Sequence, residues 1–173
     1  GFKNATDGSV KAAINGCYAA AQQHGFFGVD HLGRACVVET LGNPDCHVVL
    51  RGSSHGPNYD AGSIAAAMAE ARAEMPEGSA AVCGLVVDCS HGNSGKDEVR
   101  QTEVVRELAA RIAAGEPGIA GLMMESFIEG GNQQAGPLNT LVYGRSITDR
   151  CISWHDTEAL LRDLARAVAA RRS

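Results

Sequence analysis

Leu85-Val-Val-Asp-Cys-Ser-His91 is a short apolar run that stops on polar side chains. Runs of this kind, rich in Val, Leu, Ile and Met, read as strands buried on both faces, the pattern of a parallel sheet. Four other segments share the design: Gly1-Phe-Lys3, His47-Val-Val-Leu-Arg51, Ile119-Ala-Gly-Leu-Met-Met-Glu125 and Ser146-Ile-Thr-Asp149. Two cations, an imidazole and two carboxylates thus stand where five apolar runs end.

Helical patterns separate the runs. Val10, Ala13, Ile14, Cys17 and Ala21 mark one over 6–23, with Ser, Thr or Asp near 6–9 available as caps. Others are predicted over 61–73, over 97–114 (Val104, Val105, Leu108, Ile112) and over 156–171 (Leu160, Leu161, Leu164, Val168). Strand–helix alternation with working residues at the C-terminal strand ends predicts an α/β chain of the (β/α)8 TIM-barrel type. A whole barrel takes roughly 250 residues, and the chain has 173. Residues 1–173 are therefore expected to be the C-terminal half of a barrel, from the end of strand 4 to helix 8, with the first half upstream. One segment breaks the alternation. Phe26–Asp30 and Ala35–Thr40 are β-prone and flank His31-Leu32-Gly33-Arg34, which predicts a β-hairpin insertion over 24–41. Phe127–Gly144 has no helical period and reads as a long loop rich in Gly, Asn and Gln, followed by a short strand over 146–152.

The net charge of −5 argues against a nucleic-acid surface, which needs a basic stripe. Arg162, Arg166, Arg171 and Arg172 read as the solvated face of the last helix. No stretch of 18 apolar residues is present, so no membrane span is expected. The six cysteines form no C-x-x-C pair and read as reduced residues of a cytoplasmic protein. Trp154 reads as a packing residue.

One imidazole and two carboxylates suit a divalent ion such as Mn²⁺, Fe²⁺, Co²⁺ or Zn²⁺. His91, Glu125 and Asp149 would equally serve as solvated loop residues; their shared strand-end position favours metal. Lys3 and Arg51 supply the fixed positive donors that a phosphate or carboxylate ligand requires, although Arg51 taken alone could simply pair with a surface acid. Gly92-Asn93-Ser94-Gly95-Lys96 has an anion-nest composition without Walker A spacing.

Five ordered words carry a resemblance: Gly-Phe-Lys-Asn (1–4), Gly-Asn-Pro-Asp-Cys-His-Val-Val-Leu-Arg-Gly (42–52), Asp-Cys-Ser-His-Gly-Asn-Ser (88–94), Glu-Ser-Phe-Ile-Glu-Gly-Gly-Asn-Gln (125–133) and Tyr-Gly-Arg-Ser-Ile-Thr-Asp (143–149). The chain resembles, end to end, the C-terminal half of the microbial, amino-acid-inhibited (type I) 3-deoxy-D-arabino-heptulosonate 7-phosphate synthases. The resemblance implies a (β/α)8 barrel that condenses phosphoenolpyruvate with erythrose 4-phosphate, the first step of the shikimate pathway. It implies that Lys3 and Arg51 contact phosphoenolpyruvate and that His91, Glu125 and Asp149 are three of four metal ligands, with Lys3, Arg51 and His91 as the catalytic set. The family's fourth ligand is a cysteine upstream of Gly1, and neither Cys89 nor Cys151 is expected to replace it. The hairpin corresponds to the family's regulatory element. Phe26, Gly28 and Val38 would line a pocket for an aromatic amino acid, completed by upstream residues and a neighbouring subunit, so a homo-oligomer is expected. Gly28 leaves room for a phenolic hydroxyl, which favours tyrosine as inhibitor. Alone, the 173 residues are expected to be inactive. The alternatives are a related phosphoenolpyruvate-dependent sugar-phosphate synthase and a non-catalytic, effector-binding half barrel.

Overall fold

The structure is a computed structural model that describes residues 1–173. The chain runs through β1 (Phe2–Lys3), α1 (Lys11–Ala21), β2 (His24–Val29), β3 (Ala35–Thr40), β4 (Val48–Leu50), α2 (Ala61–Glu74), β5 (Leu85–Asp88), α3 (His91–Ser94), α4 (Glu98–Ala113), β6 (Ile119–Met123), β7 (Glu129–Asn132), β8 (Arg145–Ser146) and α5 (Trp154–Arg172). Four of the apolar runs become neighbours in one parallel sheet of order β1-β4-β5-β6. Parallel neighbours require crossover connections, and helices supply them. The strands are buried because helices cover them: Val48, Leu50, Leu85 and Val87 are at most 1% exposed. Ile14 of α1, Ile64 of α2, Leu108 of α4 and Leu160 of α5 join them in a single apolar cluster.

The sheet is open; it does not close into a barrel. The fifth run behaves differently from its prediction. A strand was expected over 146–152, but β8 stops at Ser146. The Ser146 hydroxyl accepts the Thr148 N–H (3.1 Å), a local turn that competes with strand pairing. Beyond it only isolated bridges remain, Ser126 with Ile152 and Gly131 with Cys151. Conversely, β7 forms inside the segment expected to be structureless and pairs with β8 in parallel. The Gln133 side chain explains why its pattern was faint. Its amide donates to the carbonyls of Val142 (2.8 Å) and Arg145 (2.9 Å) and accepts from Val142 N–H (2.8 Å). A polar side chain does the pairing that apolar periodicity would otherwise advertise.

Helix limits follow the caps. Asp60, Asp97 and Ser153 each accept N–H groups from the first turn of α2, α4 and α5. The expected cap near 6–9 is absent: Asp7 is spent on a turn with Ser9 N–H (2.9 Å), so α1 begins later, at Lys11, with no side-chain cap. The stripe on α4 is buried as predicted. On α5, Leu160 is buried but Leu161 and Val168 are exposed, because α5 packs mainly on α4. Trp154 is 57% exposed, contrary to a packing role. Residues 24–40 form the expected hairpin, whose strands pair only with each other. All six cysteines are free. No helix is long and apolar enough to cross a membrane.

Three asparagines stitch the C-terminal strand ends together. Asn4 accepts the Arg51 N–H (2.7 Å) and donates to Gly52 O (2.9 Å). Asn58 accepts the Gly52 N–H (2.7 Å). Asn93 accepts the Asn58 N–H (2.8 Å) and donates to Leu50 O (3.1 Å) and Asp88 O (2.8 Å). Gly52 sits at the centre with φ +79°, and a Cβ there would lie 2.4 Å from the Gly92 carbonyl carbon. Gly52→Ala should therefore destabilise the chain by more than the roughly 1–3 kcal/mol of left-handed strain, read as a fall in the denaturation midpoint; an unchanged midpoint would contradict this packing.

Candidate functional site

His91, Glu125 and Asp149 meet. Their ligand atoms all lie within 4.8 Å of one another, and His91 Nε2 is 3.6 Å from Glu125 Oε1. Each is half-buried. Donors bound to one ion at about 2.1 Å are at most about 4.2 Å apart, so side-chain adjustments of about half an ångström would complete a coordination set. The residues fit a divalent cation in number, chemistry and spacing.

The surrounding structure holds each member. His91 opens α3 in a left-handed conformation, φ +45°, directly after β5. Its Nδ1 lies 2.8 Å from Asp88 Oδ2 and 2.9 Å from Ser90 Oγ. Glu125 lies two residues past β6. The buried Gln101 of α4 clamps its backbone: Gln101 Oε1 accepts the Glu125 N–H (2.7 Å) and Gln101 Nε2 donates to its carbonyl (3.3 Å). Asp149 lies in the turn after β8. Lys96 Nζ approaches Asp149 Oδ1 at 3.5 Å, and the adjoining Arg150 grips Glu98 at the start of α4 with two donors. That guanidinium hydrogen bond holds the Glu98 carboxyl below the usual carboxylate range, outweighing partial burial.

Lys3 and Arg51 end adjacent strands, β1 and β4. Lys3 donates to Asp88 Oδ2 (2.9 Å) while its side chain stays 34% exposed. Arg51 forms no ion pair with any carboxylate, which removes the surface-acid reading and leaves its guanidinium available. Phe26, Gly28 and Val38 are remote from this cluster in the chain's architecture but close to one another: a Cβ on Gly28 would meet Val38 Cγ2 at 2.9 Å and Phe26 Cε2 at 3.8 Å. The three share one face of the hairpin.

Cys89 stays out of the ligand set. Burial, and then the neighbouring Asp88 charge, push its thiol up to about 12, so it remains protonated. Burial also raises the Cys151 thiol. An apolar cavity of about 600 Å³ adjoins the Asp149 turn through Ile147, Thr148 and Cys151. It includes none of Lys3, Arg51, His91 or Glu125.

Asp88 and Gln101 were missed by sequence reasoning. Asp88 stands in the deciding run itself, yet only the structure gives it zero exposure. Gln101 had a signal: it precedes Val104, Val105 and Leu108 at helical spacing, a polar residue on the buried stripe.

Fold and site define a class: a parallel α/β protein presenting a divalent-metal donor set at its strand ends. Within that class the chain belongs to the DAHP synthetase I family, whose family model matches residues 1–162. A phospho-2-dehydro-3-deoxyheptonate aldolase of Corynebacterium glutamicum is 44% identical over 180 residues, covering 100% of this chain and 47% of that protein. The Tyr-sensitive and Phe-sensitive aldolases of Escherichia coli are 47% and 44% identical, with 95% and 99% of this chain covered and 45% and 47% of theirs. The solved structure of phospho-2-dehydro-3-deoxyheptonate aldolase from Francisella tularensis superposes with a TM-score of 0.87 at 34% identity, covering 99% of this chain and 48% of that one. The chain spans about half the length of these relatives.

The Glu98–Arg150 pair fixes the loop beside Asp149 and carries a pH signature. A depressed carboxyl contributes stability that is full above its unfolded value of about 4.3 and is lost as pH falls through the lower folded value. Glu98→Gln should lower the melting temperature near neutrality and flatten the acid limb of a stability–pH profile. An acid limb identical to that of the unmodified chain would refute the pairing.

Proposed function

We propose that the chain is the C-terminal half of a (β/α)8 synthase, spanning 1–173 with a regulatory hairpin at 24–41. The whole protein would condense phosphoenolpyruvate with erythrose 4-phosphate to give 3-deoxy-D-arabino-heptulosonate 7-phosphate and inorganic phosphate. The observation that carries this reading is the convergence of His91, Glu125 and Asp149, from the segments after β5, β6 and β8, in a chain that matches the family over nearly its whole length. The reaction opens with attack of phosphoenolpyruvate C3 on the aldehyde carbon; water then adds at C2 and phosphate leaves.

Lys3 and Arg51 would grip the phosphate and carboxylate of phosphoenolpyruvate and aim C3 at the aldehyde. Arg51 is suited to this by its unpaired guanidinium, and Lys3 by its partial exposure. His91, Glu125 and Asp149 would hold a divalent ion; Mn, Fe, Co and Zn all suit the donor set. When bound, such an ion supplies Lewis acidity toward the aldehyde oxygen. The six free cysteines accord with a reducing, cytoplasmic setting.

The hairpin supports a regulatory and assembly role. Phe27, Val29 and Val37 are 92%, 70% and 63% exposed, more apolar surface than an unpaired ribbon carries without a partner. A neighbouring subunit would cover that surface, and the Phe26–Gly28–Val38 face would receive an aromatic amino acid. The lack of a side chain at Gly28 favours tyrosine over phenylalanine once Val38, whose Cγ2 stands 2.9 Å from where a Cβ would lie, turns aside for the phenolic hydroxyl.

Two outcomes are expected. The purified 173-residue chain, given both substrates and Mn²⁺, should form no heptulosonate product, and product should appear when the other half of the protein is added. Turnover by the chain alone would overturn the half-site reading. For the full-length enzyme, tyrosine should inhibit more strongly than phenylalanine; the opposite order would remove the Gly28 argument.

A further inference from the structure

We propose that Asn4 is a positioning residue of the phosphoenolpyruvate site: its side-chain amide bridges the ends of β1 and β4 and sets the spacing of Lys3 and Arg51. This rests on the reading of those two cations as anion grips. Asn4 directly follows Lys3, and its N–H donates to Val49 O (3.0 Å). Past that backbone bond the side chain takes over. Its Oδ1 accepts the Arg51 N–H (2.7 Å) and an Asn58 Nδ2 hydrogen (3.3 Å). Its Nδ2 donates to Gly52 O (2.9 Å) and Ala5 O (2.8 Å). The amide stands in for one more residue of the parallel ladder, and Asn4 is only 3% exposed.

The chemistry of the bridge selects asparagine. A carboxamide has two hydrogens to give and two lone pairs to receive, and all four are used here. Aspartate would turn an oxygen toward both carbonyls. Leucine, of similar shape, would leave the Arg51 N–H and the Gly52 carbonyl without this partner, and glutamine would carry the amide one methylene too far. Arg51 is tied at both of its backbone groups, because its carbonyl accepts the Gly92 N–H (3.0 Å). The direction of its Cα–Cβ bond, from which the unpaired guanidinium extends, is thereby fixed. Lys3 is anchored too, by its place in the β1–β4 register and by the bond from Nζ to Asp88 Oδ2 (2.9 Å). Asn4 joins the two anchors. Two cations that must meet the phosphate and the carboxylate of one small ligand need a set separation, and a bridge between their strand ends supplies it.

Steady-state kinetics of the full-length enzyme, with both substrates varied, test the assignment. Asn4→Asp and Asn4→Leu should raise KM for phosphoenolpyruvate, by up to about 100-fold for a misplacement near 1 Å, and leave KM for erythrose 4-phosphate unchanged. Leu160→Ala truncates the apolar cluster far along the chain; it should lower the denaturation midpoint and leave both KM values unchanged. Asn4 variants whose KM values follow those of Leu160→Ala overturn the proposal. Arg51→Ala separates the two readings. A raised KM for phosphoenolpyruvate in Arg51→Ala, with an unchanged one in the Asn4 variants, removes the role of Asn4 and keeps the anion grip. An unchanged value in Arg51→Ala removes both. Hydrogen exchange of the unmodified enzyme decides the matter if no Asn4 variant folds. The Arg51 N–H, one residue beyond β4, should exchange as slowly as the amides of Val49 and Leu50; exchange at the rate of an exposed loop amide overturns the proposal.

Discussion

A carboxylate with no access to water dominates the architecture. Ionised, Asp88 would be costly by several kcal/mol unless each oxygen kept a strong donor. One donor comes from β1 and one from the turn after β5, and the ring of His91 lies 2.8 Å from Oδ2. Lys3 is 34% exposed, so its loss would cost less than the roughly 3–5 kcal/mol of a fully buried pair, but register errors among β1, β4 and β5 are still disfavoured by electrostatics as well as by apolar packing. A one-residue slip would send Lys3 to the wrong face of the sheet. The charge that organises the site also polices the fold.

The asparagine network extends this control to the backbone. Strand ends are where ladder hydrogen bonds run out, and loops there ordinarily bond to water. Asn4, Asn58 and Asn93 occupy those groups with side-chain amides. Arg51 is consequently held at its N–H by Asn4 and at its carbonyl by Gly92 N–H (3.0 Å), while its guanidinium is left unpaired. Rigid backbone with a free charged tip lowers the entropy lost when an anion is gripped. Gln101 treats Glu125 in the same way, clamping both backbone groups and leaving the carboxylate to face His91.

The sequence was most legible where apolar physics decides. Parallel strands at 48–50, 85–88 and 119–123 and the buried face of α4 follow from periodicity and length. The strand-end rule then singled out His91, Glu125 and Asp149, whose ligand atoms converge, and Lys3 and Arg51, which end adjacent strands. What stayed hidden depends on side chains standing in for backbone. Gln133 makes β7 and β8 cohere without an apolar pattern, Asp7 diverts a cap into a turn, and Ser146 ends a strand early. Asp88 was hidden for another reason: a one-dimensional sequence does not show that Lys3, 85 residues away, returns to neutralise it. The relatives' names speak to the activity of longer proteins; they do not substitute for these contacts.

The hairpin illustrates how an addition can be grafted without disturbing this frame. The chain leaves α1 at Ala21 and comes back to the same place: Asn43 N–H donates to Ala20 O (2.8 Å), and a Cβ on Gly42 would collide with Ala21 O at 2.3 Å. Its ends therefore close on the C-terminus of α1, and His24 Nε2 bonds the Ala19 carbonyl (2.7 Å). An insertion whose ends meet costs the host little loop entropy, which is how β-structure sits within a strand–helix alternation. The same closure restricts communication. Within the chain, the hairpin joins the site through the end of α1 and through residues 42–47, where Cys46 is buried beside Cys17 in the apolar cluster. Residue 47 bonds Phe2 N–H through its carbonyl (2.9 Å), one position from Lys3. From residue 47 the hairpin is thus linked both to β1, where Lys3 meets the buried Asp88, and directly into β4 and Arg51.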